Sequence, residues 1–417
     1  MYIHRELEKE IQPFLKRREA LAIVGPRQAG KTTFLTHLVK YFESKRKRVR
    51  FFTFENRTDV ELFEKDIHDF KQLIEPYDCV IIDEFQYAKE GGQNLKYLYD
   101  TTNIKFIISG SSSLELTFQT GRYMVGRLLT FNLGPFSFRE YLSYVEPELF
   151  QALTKKISHT KLSSFKIEQG FGDVLHERLT HALEIYCIYG GYPAVVLART
   201  MAEKQKLLEG IINTYLLKEI KGLLHLASER GLLTTTRLLA AQIGNLVSYQ
   251  ELSASSSLSY QEVKRHISIL EKTFILRIVR PFFKNKRTEV VKNPKTFFLD
   301  LGLRNFLLSD FRPLQTRNDF GAIMENHAYN ALSSLHPGRE IRFWRTKSKA
   351  EVDFVIEKEG RLYPLEVKYS GRPKIGKSLY SFINKFNPDS AFVLTRDIQD
   401  KQKIGETTVR FTPLSYL

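Results

Sequence analysis

The chain has 417 residues; at roughly 150 residues per domain that length predicts two to four domains rather than one continuous core. Hydrophobic residues make up 42%, charged residues 26% and aromatic residues 12%, which excludes a disordered or fibrous chain and fits a folded globular one. Lys plus Arg number 63 against 47 Asp plus Glu, a formal charge of +16, and this balance favours a polyanionic partner, nucleic acid or an anionic membrane surface.

Two cysteines, Cys79 and Cys187, exclude a disulfide framework and a cysteine-rich zinc cluster, and their apolar neighbours predict two buried, reduced thiols. The start, Met1-Tyr2-Ile3-His4-Arg5-Glu6, is charged at once and is not followed by an apolar signal segment. The most lipid-like stretch, Ala182 to Ala198, is broken by Glu184, two glycines and Pro193, short of the ~18 apolar residues that a span requires. A soluble, cytoplasmic protein without a membrane partner is expected.

In chain order, the first informative segment is a short apolar run, Ala20 to Val24, that predicts a buried strand. Gly25-Pro26-Arg27-Gln28-Ala29-Gly30-Lys31-Thr32-Thr33 follows it, and an amphipathic helix begins with Phe34, Leu35, Leu38 and Val39. This is GxxxxGKT between a strand and a helix, a loop that bends around a diphosphate and points backbone N–H groups at it. Lys31 carries positive charge to the β and γ phosphates, Thr32 offers a hydroxyl to magnesium, and the glycines stand where a Cβ would intrude. Gly25 to Thr33 is therefore the expected ATP-binding set.

Val49 to Phe54 predicts a second strand, after Lys45-Arg46-Lys47-Arg48, a basic turn that could touch phosphate. Cys79-Val80-Ile81-Ile82-Asp83-Glu84 is an apolar strand ending in two acids, expected beside the loop strand. Asp83 is expected to hold Mg2+ through water while Glu84 polarises the attacking water. Ile104 to Ile108 runs into Ser109-Gly110-Ser111-Ser112-Ser113, where Ser109 and Ser111 compete for the role of γ-phosphate sensor. Arg122 and Arg127 flank a turn ahead of the strand Leu128–Leu133, and one of them is a candidate finger for a neighbouring subunit's site, against an ordinary surface role. Near-continuous apolar strands separated by helices predict a parallel sheet covered on both faces.

Gly25-Pro26-Arg27-Gln28, Ile82-Asp83-Glu84-Phe85-Gln86, Ser109-Gly110-Ser111-Ser112 and Pro135-Phe136-Ser137-Phe138-Arg139-Glu140 together resemble the AAA+-type ATPases of archaea and bacteria. In that family the ATPase is joined to a C-terminal region similar to PD-(D/E)xK nucleases, and the resemblance spans nearly the whole chain. It implies that Lys31 and Thr32 bind ATP–magnesium, that Asp83 and Glu84 are the acidic pair, and that Arg127 is the arginine that matters.

Residues 145–175 are polar, with Lys155, Lys156, Lys161 and Lys166 interspersed, and read as a lid or connection. A helix from Leu179 stops at Gly190-Gly191-Tyr192-Pro193, a predicted tight turn. From Leu232 to Phe298 the periodicity predicts a winged helix-turn-helix: three helices, then two strands around a basic wing, Lys284-Asn285-Lys286-Arg287. Its third helix would expose Ser259, Gln261, Glu262, Lys264, Arg265 and His266, with Lys264, Arg265, Lys286 and Arg287 meeting phosphate. A protein–protein role for the same module stands beside this reading.

In the last part, a helix over Gly321–Leu335 carries Glu325, and strands follow at Ile341–Arg345, Glu351–Ile356 and Tyr363–Lys368. Trp344 is expected in the core. A basic turn, Ser370-Gly371-Arg372-Pro373-Lys374, precedes a further helix. Thirteen residues separate Asp353 from Glu366-x-Lys368. On a strand, positions i and i+2 share a face, and a hairpin brings Asp353 beside them. Carboxylates that hold a divalent cation, with a lysine to orient water, suit phosphodiester hydrolysis. Asp353, Glu366 and Lys368 are thus candidate catalytic residues, with Glu325, Asp353 and Glu366 as metal ligands, in the α–β–β–β–α–β order of a PD-(D/E)xK domain.

The expected architecture is α/β: a P-loop AAA+-type ATPase domain with a parallel sheet (1–150), a helical lid or linker (151–227), a winged helix (228–299) and a restriction-endonuclease-like α/β domain (300–417). The expected activity is Mg2+-dependent ATP hydrolysis coupled to a DNA-engaging C-terminal half. An ATP-gated nuclease and a nucleotide-switched scaffold, with a second copy or another protein as partner, are the alternatives.

Overall fold

The structure is a computed structural model that describes residues 2–111, 120–156, 170–214, 229–283, 285, 287, 289, 292–370 and 373–417. Ser112, Ser113, Lys161, Lys166, Lys284, Lys286, Gly371 and Arg372 lie outside the described residues, as does the expected boundary at 227/228. The described chain divides into two units, one of residues 1–135 with 269–275, the other of residues 136–268 with 276–417.

In the first unit, strands β1 (Ala20–Val24), β2 (Val49–Thr53), β3 (Cys79–Asp83), β4 (Lys105–Gly110) and β5 (Leu128–Asn132) form one sheet in the order β2-β3-β4-β1-β5. Every neighbouring pair is parallel. Helices α1 (Leu7–Ile11), α2 (Lys31–Ser44), α3 (Arg57–Lys65), α4 (Ile67–Ile74) and α5 (Gly91–Thr101) flank it. The three central strands are buried along their whole length, which is why their sequences are continuous apolar runs rather than alternating ones. Phe34, Leu35 and Leu38 of α2 pack with Leu21, Ile23, Ile81 and Ile107 of the sheet. One expectation is corrected: β3 is not beside β1, because β4 lies between them.

The second unit begins with α6 (Phe138–Val145), α7 (Pro147–Lys156), α8 (Asp173–Tyr189), α9 (Pro193–Leu197) and α10 (Met201–Ile211). α6 opens on a reciprocal cap in which the Ser137 hydroxyl accepts from the Glu140 N–H and the Glu140 carboxylate accepts from the Ser137 N–H. The Gly190-Gly191 break after α8 is a turn in which Gly190 has a φ of 78°. A Cβ on Gly191 would stand 2.1 Å from the Phe136 carbonyl oxygen, so only glycine fits. Asp300 locks this turn by accepting from the Gly191 N–H at 2.7 Å and from Leu303 N–H at 2.8 Å, where it caps α14 (Leu301–Leu308). Burial pushes the Asp300 carboxyl up to about 6.

Three helices, α11 (Glu229–Ala241), α12 (Tyr249–Ser256) and α13 (Tyr260–Lys272), precede an antiparallel pair, β6 (Leu276–Val279) with β7 (Lys295–Phe298). The exposed face of α13 carries Gln261, Glu262, Lys264 and Arg265, but His266 is buried, 4% exposed. His266 falls one turn after Val263 and one before Leu270, on the apolar stripe, which corrects its expected place on the outer face. Glu262 is a capping residue, its carboxylate accepting from the Ser259 N–H at 2.8 Å.

After α15 (Phe320–Leu335) comes a six-stranded mixed sheet, β12-β13-β11-β10-β9-β8, with α16 (Lys377–Phe386) between β10 and β11 in sequence. Its strands are β8 (Ile341–Arg345), β9 (Glu351–Lys358), β10 (Arg361–Lys368), β11 (Ser390–Thr395), β12 (Asp400–Ile404) and β13 (Thr407–Pro413). β10, β11 and β13 run parallel, whereas β8, β9 and β12 are antiparallel to their neighbours. Trp344 is 3% exposed and packs with Leu379, Phe382 and Val355 in the core of this sheet.

Candidate functional site

The loop Gly25–Gly30 leaves the C-terminal end of β1 and enters α2. Its shape is set by two left-handed residues, Gln28 at φ 62° and Gly30 at φ 91°. Gly25 has a reason within the fold to be glycine. A Cβ there would lie 1.9 Å from the carbonyl oxygen of Leu133, just past the end of β5, so the neighbouring backbone alone already demands glycine. Arg5, 6% exposed, holds the loop from behind, donating to the carbonyls of Ala29 at 3.0 Å and Gly134 at 2.6 Å. Lys31 is 5% exposed and its Nζ donates to the carbonyls of Gly25 and Pro26, each at 3.1 Å.

Opposite the loop stand the acids of β3. Thr32 Oγ1 donates to Asp83 Oδ2 at 2.6 Å, which joins the first turn of α2 to the end of β3 across the intervening β4. The interposed strand supplies Ser109, whose hydroxyl donates to Asp83 Oδ1 and accepts from the Glu84 N–H at 3.1 Å. Glu84 itself has a φ of 53°, a strained left-handed turn that lifts its side chain off the strand. Its carboxylate accepts from Gln86 Nε2, and the same amide donates to Ser111 Oγ at 3.2 Å. The two serines therefore divide: Ser109 holds Asp83, and Ser111 stands with Gln86 beside Glu84. Arg27 reaches Tyr87 Oη at 3.0 Å. A hydroxyl and a carboxylate in contact, both oxygen donors, suit a magnesium ion in its donor chemistry.

Arg127 is elsewhere. It stands just before β5 and its Nε donates to Asp100 Oδ1 at 3.0 Å, at the end of the sheet opposite the loop, about 16 Å away along a five-residue strand. Arg122 is exposed. The basic turn Lys45–Arg48 is also at that opposite end, where Lys45, Lys47 and Arg48 line a cavity of about 1040 Å³ with Lys16, Arg17 and Arg18. Lys47 pairs with Asp78 at 3.1 Å. The turn is exposed, as a solvated basic turn, and lies away from the loop that follows β1.

In the second unit, pairing of Leu365 with Phe354 sets Asp353 beside the Glu366–Val367 step, and Asp353 Oδ2 accepts from the Val367 N–H at 2.8 Å. Lys368 Nζ lies 3.9 Å from Glu366 Oε2. Burial pushes the Glu366 carboxyl up to about 7, against the pull of Lys368. Glu325 also rises to about 7, burial outweighing the nearby Lys295 ammonium. Glu325, Asp353 and Glu366 do not converge as a metal-ligand set: among the described residues, only His4, Glu8 and His37 bring three acidic or imidazole ligand atoms within 4.8 Å of one another. Lys295 Nζ is instead the cation at Glu325, 2.9 Å from its Oε1.

Residues 17–142 match the family model described as AAA domain. That stretch is similar to an AAA domain and contains the loop between β1 and α2. Downstream of this AAA domain, residues 180–314 and 320–417 match two further models, each described as a domain of unknown function. Among known proteins, an uncharacterized protein of Mycobacterium tuberculosis is 25% identical over 90% of this chain and 76% of its own length. One from Haemophilus influenzae is 22% identical over 88% of this chain and 86% of its own. Among solved structures, AMPPCP-bound DnaA from Aquifex aeolicus aligns at 15% identity with a TM-score of 0.30, over 65% of this chain and 89% of that one. No described helix is long and apolar enough to cross a membrane.

Sequence reasoning missed three residues around the AAA domain's site and beyond it. Gln86 was quoted within a motif without a role, Arg5 sits among charges that gave no hint of burial, and Lys295 is a lone charge at the head of an aromatic strand. That last pattern, a lysine in an otherwise apolar run, is the one legible signal of the three.

Proposed function

We propose that the AAA domain binds ATP with Mg2+ and hydrolyses it to ADP and phosphate, and that nucleotide state governs a DNA-engaging second unit. The observation that carries the first half is the contact of Thr32 Oγ1 with Asp83 Oδ2 at 2.6 Å under a loop that presents Lys31. In this reading Gly25 to Thr33 wrap the phosphates, and Lys31 exchanges its two loop carbonyls for β and γ phosphate oxygens. Thr32 and Asp83 are the residues that would hold a magnesium ion. That ion would neutralise charge on the phosphates as the terminal bond breaks. Glu84 accepts a proton from the attacking water, oriented by Gln86 and Ser111, while Ser109 fixes Asp83. Arg127 enters only as a group offered to a second copy of the chain, since it stands at the far end of its own sheet.

The second half rests on α11–α13 followed by the β6–β7 pair, the element order of a winged helix, with Lys264, Arg265 and Arg287 exposed. Phosphate contacts of this kind weaken steeply with salt. Fluorescence titration of double-stranded DNA at two ionic strengths tests it: salt-sensitive affinity reduced by Arg265→Glu supports DNA engagement, and no binding at low salt refutes it. The order of α15, β8–β10, α16 and β11 supports a nuclease-like fold for the last part. ATP turnover with and without DNA tests the coupling.

A further inference from the structure

A PD-(D/E)xK reading asks for a divalent metal between the carboxylates of β9, β10 and the preceding helix. The residues there do not fit one. Lys295, in β7, is 2% exposed, and its Nζ lies 2.9 Å from Glu325 Oε1 and 2.6 Å from Glu351 Oε1. The ammonium also stands 5.4 Å from the centroid of the Phe343 ring, which closes another side. Two further carboxylate oxygens have partners of their own, while Glu366 Oε2 is buried without a hydrogen-bond partner, with Lys368 Nζ 3.9 Å away. Glu351 Oε2 pairs with Arg345 Nη1 at 2.7 Å, and Asp353 Oδ2 accepts from the Val367 N–H. No three of Glu325, Glu351, Asp353 and Glu366 bring oxygens within 4.8 Å of one another, so these acids do not form an all-carboxylate cation cage.

We propose that the Lys295 ammonium is the built-in counter-ion of Glu325 and Glu351, standing in place of a divalent metal beside Asp353, so that these carboxylates tie β7, α15 and β9 together and do not cleave DNA. Two carboxylates brought together in a protein interior repel unless a cation joins them. The chain supplies that cation covalently, from the strand paired with β6. A divalent ion entering the cluster would meet a buried positive charge, and would have to break two short ion pairs to replace it. The proposal takes from the nuclease-like reading only its expectation of a metal.

The test uses the full chain carrying Asp83→Asn, which removes the magnesium-side carboxylate of the AAA domain, and Mn2+ alone as the probe. Mn2+ binding is read by electron paramagnetic resonance, and nicking of supercoiled DNA is read in parallel with Mg2+ or Mn2+. The expected result is no Mn2+ site that depends on Asp353, no nicking, and at least a tenfold gain in Mn2+ affinity in Lys295→Met that Asp353→Asn cancels. Mn2+ binding or nicking in the Lys295 protein that Asp353→Asn abolishes would overturn the proposal, as would a folded Lys295→Met that gains nothing. Should Lys295→Met fail to fold, the comparison of Lys295 protein with and without Asp353→Asn decides alone, and Lys295→Arg, which keeps the cation, is expected to fold and to bind no Mn2+. None of these arms uses nucleotide, so their failure is distinct from a failure of the ATPase reading.

Discussion

Ser109 shows how one hydroxyl can serve two backbone-distant groups: buried on β4, it donates to the Asp83 carboxylate and accepts from the Glu84 N–H. Removing it takes one of two partners from Asp83 Oδ1 and from the Glu84 N–H, which still donates to Asp83 Oδ1 at 3.1 Å, at a cost of about 1 kcal/mol. Ser109→Ala is therefore expected to lower both thermal stability and ATP turnover, whereas Ser111→Ala lowers turnover with the smaller effect on stability; unfolding midpoints and phosphate release check the pair. His327 carries a second residue-scale consequence. It is 1% exposed, with the rings of Phe138 and Tyr186 each 5.8 Å away, and burial pushes its pKa down to about 3. Its stabilising contribution is thus complete above the unfolded value near 6.5 and is lost as pH falls, since the unfolded chain takes up a proton that the folded one refuses. Between pH 7 and pH 5 the wild type should lose about 2 kcal/mol more than His327→Gln, at 1.36 kcal/mol per unit, as read from unfolding midpoints at the two pH values.

Among elements, the insertion of β4 between β1 and β3 decides the chemistry of the AAA domain, because it brings Ser109 and Ser111 to the acids. The strands themselves were legible as apolar runs, and GxxxxGKT and the Asp83-Glu84 step stood out by spacing. Their lateral order was not, since parallel strands joined by helices can be arranged in several orders with the same sequence pattern. That Gly25 also packs against the Leu133 carbonyl was not legible, because Leu133 lies more than a hundred residues away. The buried side of α13 misplaced His266 for a related reason: a titratable residue on an apolar stripe reads as exposed until its partners are seen. Gly25→Ala should unfold or strongly destabilise the first unit, by roughly 3 kcal/mol or more, because its Cβ would stand 1.9 Å from a backbone oxygen that cannot rotate away. Gly134→Ala, with nothing within 4 Å of the added carbon, is the matched control and should shift stability by no more than about 0.5 kcal/mol; thermal melts of the two distinguish them.

At the scale of the whole chain, an AAA domain is followed by a helical region, a three-helix and hairpin module, and a mixed sheet, on a chain of formal charge +16. Charge of that size favours contact with a polyanion but does not select the surface that makes it. In the proposed function, coupling of the two units would link nucleotide chemistry to such a partner. The decisive measurement is the steady-state rate of phosphate release from ATP and Mg2+ by the wild type, Lys31→Ala and Glu84→Gln, each with and without double-stranded DNA. The account predicts turnover in the wild type that DNA increases, and a fall of at least a hundredfold in both variants; undiminished turnover in both would contradict it.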